Sequence, residues 1–173
     1  PEAGGFAFDV DGDGDLDLII GGDAGSDELW WYENPAPEFD PAVPWKRHLV
    51  KAGGGTAHHD HVVADFMDTG TPQLAFWNQG ARKLFLAEVP SDPRRAEGWD
   101  YREIFDYGHL GDALKQEGMC AFDVDGDGRT DLLAGQFWFR YVGGGRFEPV
   151  QLSDRPGRVQ AGRFVAGSVA QVV

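Results

Sequence analysis

A single cysteine, Cys120, leaves no partner for an intrachain disulfide and no thiolate cluster for a metal. Bases are scarce: 15 Lys and Arg stand against 29 Asp and Glu, for a formal net charge of −14. That balance excludes nucleic acid as a nonspecific partner, because such binding draws on cationic side chains at the phosphates. It also disfavours an anionic membrane surface. No apolar run approaches the ~18 residues of a spanning helix, so no membrane insertion is expected. Gly-x-Ser-x-Gly, phosphate-loop and dinucleotide fingerprints are missing as well. What the chain has in quantity is glycine, 25 residues, with 10 prolines. These punctuate 173 residues into short segments and exclude a fold built on long helices.

The acids are concentrated. Asp9-Val10-Asp11-Gly12-Asp13-Gly14-Asp15-Leu16-Asp17 and Asp123-Val124-Asp125-Gly126-Asp127-Gly128-Arg129-Thr130-Asp131 share one spacing. Carboxylates packed this closely repel one another unless a cation sits among them. Hard oxygen donors at the first, third, fifth and ninth loop positions, with a backbone carbonyl at the seventh, suit Ca²⁺. The side-chain ligands are then Asp9, Asp11, Asp13 and Asp17, and Asp123, Asp125, Asp127 and Asp131. The seventh residue, Asp15 in one loop and Arg129 in the other, supplies its carbonyl, which explains why its side chain varies. An EF-hand is excluded: its twelfth position needs a bidentate Glu, where this chain has Ile20 and Ala134. The flanking segments Phe6-Ala7-Phe8 and Leu18-Ile19-Ile20 also read as strands, without helical apolar spacing.

A third, eroded copy of the loop starts at Asp65, with Met67 and Thr69 in place of carboxylates. It predicts no ion, with Asp68 as a compensating ligand. A fourth, Arg163 to Gln171, has lost every carboxylate. The copies mark units over residues 1–56, 57–114, 115–157 and 158–173, each reading as strand, loop, strand, turn, strand, connection, strand until the last breaks off. Repeats of this length with four strands per unit predict an all-β protein, a β-propeller with about three and a half blades in this chain. One blade cannot bury both faces alone, and stacking against its neighbours does so. Trp30, Trp31, Phe76, Trp77, Phe85, Phe137, Trp138 and Phe139 fall in the expected strands as the filling between blades.

The run Phe-Asp-Val-Asp-Gly-Asp-Gly-x-x-Asp-Leu, with Leu29-Trp30-Trp31-Tyr32-Glu33-Asn34-Pro35, resembles the FG-GAP/VCBS-type repeats of calcium-binding β-propellers. The resemblance implies two Ca²⁺ sites between first and second strands and a ring of about seven blades. The remaining blades would come from further sequence or from a second copy of the chain. It implies a binding module for carbohydrate or protein, in a secreted or periplasmic setting where millimolar calcium suits exchangeable loops. Related propellers include polysaccharide lyases and a sugar dehydratase, so the fold leaves a sugar-active enzyme open.

For such an enzyme the candidate constellation is His58-His59-Asp60-His61, with Glu117 at the matching place in the next unit. His59, His61 and Glu117 are the candidate acid and base groups, and His58, His59 and His61 are candidate ligands for Zn²⁺. The alternative is a solvated loop whose histidines cap strand ends. His48 and His109 read as surface residues, Cys120 as a small buried hydrophobe, and Gly108–Gln116 as a short helix or lid.

Overall fold

Short apolar runs between glycines fold as strands throughout. The computed structural model describes residues 2–111, 115–155, 157–167 and 169–173. The first sheet holds β1 (Glu2–Phe8), β2 (Asp17–Gly22), β3 (Leu29–Glu33) and β4 (Lys46–Lys51). The second holds β5 (His58–Ala64), β6 (Gln73–Asn78), β7 (Lys83–Glu88) and β8 (Tyr101–Asp106). The third holds β9 (Met119–Phe122), β10 (Asp131–Ala134), β11 (Phe137–Gly143) and β12 (Arg146–Gln151). A two-stranded sheet of β13 (Ala161–Gly162) and β14 (Gln171–Val172) follows. Each four-stranded sheet is an antiparallel meander in chain order, the form of a propeller blade. In the expected lid segment the structure describes a single 3₁₀ turn, Gly108–Leu110, while residues 112–114 lie outside the described residues.

The first strands lie side by side, β1 against β5, β5 against β9 and β9 against β13. This places the loops that join first to second strands on one rim. The core fills the two gaps between blades. Ile19, Leu29, Trp31, Val50, Leu74, Phe76 and Phe85 pack between the first and second blades. Ala75, Trp77, Leu84, Tyr107, Leu132 and Phe139 pack between the second and third. Strand β6 therefore sends alternate side chains into different cores, and all six of its residues are buried. In β2 the same alternation leaves Leu18 39% exposed, because nothing described covers that face of the first blade. His48 departs from the surface expectation. Its ring stacks on Trp31 with centroids 4.2 Å apart, and it is buried.

Equivalent residues at the start of each inner strand, Gly4, Asp60 and Gly118, take left-handed backbone conformations, with φ of 72°, 47° and 80°. They step the blades together: a Cβ on Gly4 would stand 2.7 Å from the Asp60 nitrogen, and one on Gly118 would stand 2.7 Å from the Val159 nitrogen. Asp60 adds a carboxylate that accepts the Gly118 N–H at 2.9 Å, tying the second blade to the third. A non-glycine residue is tolerated there because its side chain makes this bond. Blade contact is equally close at Gly21, where a Cβ would lie 2.4 Å from the His58 carbonyl oxygen and 2.9 Å from the His61 ring. Gly21→Ala is expected to cost about 1–3 kcal/mol by overpacking. Urea unfolding at neutral pH measures it, and an unchanged midpoint would contradict the close approach.

Candidate metal centres

In the first loop the glycines let the backbone fold over the first carboxylate. Asp9 accepts the N–H groups of Gly12 at 2.8 Å, Asp13 at 3.1 Å and Gly14 at 3.1 Å. Gly12 and Gly14 carry positive φ, which this wrap requires. At the far end Asp17 accepts the N–H of Val10 at 3.0 Å and that of Asn34 at 2.8 Å. Asn34 in turn donates its side-chain amide to the Leu16 carbonyl at 3.0 Å. The result brings ligand oxygens of Asp9, Asp11 and Asp17 within 4.8 Å of one another.

The third blade repeats the arrangement. Asp123 accepts from Gly126 at 2.7 Å and Gly128 at 3.1 Å, and Asp131 accepts the Val124 N–H at 3.0 Å. Asp123, Asp125 and Asp131 form the matching group within 4.8 Å. Burial raises the carboxyls of Asp17 and Asp131 above the usual range, against their backbone hydrogen bonds. Neighbouring carboxylates push the same way: Asp11 and Asp15 act on Asp17, and Asp125 and Asp127 act on Asp131. A divalent ion would remove that cost, and three converging carboxylates with no nitrogen or sulfur donor fit a hard cation.

Among the described residues these are the two groups of three or more acidic, histidine or cysteine side chains able to share an ion. The fifth positions do not join them. Asp13 takes Arg94 at 2.8 Å, and Asp127 accepts the Arg129 N–H at 2.8 Å. The seventh side chains also stay out: Arg129 reaches across to Asp68, with 3.6 Å between Nε and Oδ2. Asp68 thus pairs with the third loop; in its own loop, Asp65 accepts Thr69 and Gly70 N–H groups at 3.0 and 2.6 Å.

Residues 9–76 match the family described as FG-GAP-like repeat. This stretch is similar to an FG-GAP-type repeat. The matched stretch runs from the first ligand of the first loop through the rest of the first blade and into β6 of the second. Among curated proteins none matches the chain.

Beyond the matched stretch, the structure adds to the first loop a group that sequence reasoning missed. Arg94, on the connection from β7 to β8, inserts into the first loop. Its guanidinium lies 2.7 Å from Asp11 and 2.8 Å from Asp13, and its Nε lies 2.8 Å from Glu33. Burial alone would raise Glu33, but His48, Arg94 and Lys46 together hold its carboxyl below the usual range. No local pattern signals this, since Arg94 is 81 residues from Asp13.

The histidines are dispersed by the pleat of β5 and by its bulge between His59 and His61. His59 faces Asp23 with 3.4 Å between Nε2 and Oδ1. His58 is fully buried, with its Nε2 3.3 Å from the Asn78 side-chain nitrogen. His61 is buried against the first blade beside Gly21. Burial lowers His61 to about 3 and His58 to about 4, so both are neutral near pH 7. Glu117 reaches Arg158 at 3.8 Å. Among the described residues no hydrogen bond or ion pair joins His59, His61 and Glu117. Cys120 is half-buried, and burial raises its thiol, an inert state.

Proposed function

We propose that the chain is a propeller-type binding module for carbohydrate or protein, held in shape by Ca²⁺ in the first and third blades. The observation that supports this reading is the duplicated convergence of Asp9, Asp11 and Asp17 and of Asp123, Asp125 and Asp131. Position by position, the two loops offer the same hard donors on the same hydrogen-bonded frame. Asp13 and Asp127, with the carbonyls of Asp15 and Arg129, would complete each shell. Calcium would relieve the repulsion among the carboxylates and pin the turn between the first and second strands. An extracellular or periplasmic setting, with its high free calcium, suits such exposed loops.

The proposal is checked by calorimetric titration of chelator-stripped protein with CaCl₂. Two ions per chain are expected, with a higher melting temperature in calcium than in EDTA. Asp125→Ala is expected to remove one ion and part of that stabilisation. Absence of binding at millimolar Ca²⁺, or a melting temperature indifferent to chelator, would overturn it.

A further inference from the structure

The ninth loop position separates the four loops into two kinds. It holds Asp17 and Asp131 in the first and third, and Gln73 and Gln171 in the second and fourth. In every loop its side-chain oxygen accepts the N–H of the second loop residue. The distances are 3.0 Å from Val10, 2.8 Å from Phe66, 3.0 Å from Val124 and 3.1 Å from Phe164. That contact is therefore common to all four, and what differs is the other half of the side chain. In the second loop the Gln73 amide nitrogen donates to the Thr71 carbonyl and, at 3.3 Å, to the Thr69 hydroxyl. These are the seventh and fifth positions, from which a bound cation draws oxygen donors.

We propose that Gln73 takes the place of the divalent ion in the second loop, so that an amide at the ninth position frees that blade from dependence on a metal. The charge of each loop agrees. At the first, third, fifth and ninth positions the second loop has one carboxylate, Asp65, beside neutral Met67, Thr69 and Gln73. The fourth has none at Arg163, Val165, Gly167 and Gln171. With no crowd of carboxylates to neutralise, the partial positive charge of an amide N–H suffices. Gln171 holds the N–H groups of Phe164 at 3.1 Å and Val165 at 3.2 Å, the same pair of positions that Gln73 holds through Phe66 and Met67. Met67, at the third position, is turned into the core between blades and is not a donor.

The inference rests on the calcium reading for the first and third loops only, and its test separates the two. Gln73→Ala is expected to lower the melting temperature by roughly 5 °C, equally in EDTA and in CaCl₂, because several hydrogen bonds are lost and no ion is involved. No decrease, or a decrease seen only in calcium, would overturn the proposal. Asp131→Gln is expected to bind one Ca²⁺ fewer than wild type yet to melt higher in EDTA than Asp131→Ala, since the amide can close the loop unaided. Equal melting of those two variants in EDTA would contradict it, and this comparison decides should Gln73→Ala not fold. Wild-type protein that binds no Ca²⁺ would refute the calcium reading while leaving the Gln73→Ala result to judge the amide.

Discussion

Trp77→Ala is expected to cost about 3–5 kcal/mol, the range for removing a large buried aromatic. Trp77 is fully buried on the face of β6 that meets the third blade. Its ring meets Tyr107 edge-on, with centroids 5.4 Å apart and planes at 89°, and lies 6.5 Å from Phe139. Tyr107 directly follows β8 and Phe139 lies in β11, so the indole joins two blades that share no hydrogen-bonded ladder. The cavity would open where backbone pairing cannot hold the sheets together. Chemical unfolding at constant calcium measures the loss. Trp30→Ala is the control: that ring is half-buried and covered by the Arg47 guanidinium 3.9 Å away, so a smaller loss is expected. Equal losses for the two would argue that the gap between blades is not the stabilising core.

Acid should destabilise the fold through His58 and His61 before it acts on most carboxylates. Burial is the main cause that lowers His61 to about 3 and His58 to about 4, from an ordinary value of 6.5. Lys51 adds to the effect on His58, Asp27 opposes it, and His58 and His59 add to the effect on His61. A histidine with a lowered folded value binds its proton more readily when unfolded. Its contribution is complete above pH 6.5 and is lost as the pH falls toward the folded value. Each pH unit within that window removes about 1.4 kcal/mol per histidine. Between pH 6.5 and 5 the two together would lose about 3 kcal/mol, because the slope is only half developed at pH 6.5. The raised carboxyls of Asp17 and Asp131 work in the opposite sense, gaining stability as they protonate. Unfolding free energies measured in EDTA across this window should fall steeply for wild type and less steeply for His61→Leu. A flat profile would mean that the two rings are hydrated in the folded state.

Much of the blade pattern is legible in the order of residues. Strands β2 and β10 follow directly on their acidic loops, as the Asp-Leu and apolar runs predict, and the eight aromatics assigned to strands lie in them. Two corrections share one cause. His48 has no partner in sequence yet stacks on Trp31, because the pairing of β3 with β4 sets it directly opposite. Asp68 looks like a spare ligand in its own loop, yet it pairs with Arg129 on the next blade.

The sequence by itself determined the all-β architecture and the two carboxylate loops, because both depend on short-range rules. Alternation sets the face of a strand, and fixed Asp and Gly spacing sets which oxygens can converge on one point. Only the tertiary structure decided which groups complete those loops. Arg94 enters from the second blade, and Asp60 caps the third from the second. Gln73 shows the limit most clearly. Its position is readable from the repeat, but its two-sided use, oxygen to the backbone and nitrogen toward the ligand positions, is not. An amide and a carboxylate differ by one donor group, and that difference acquires meaning only when the loop has closed around it.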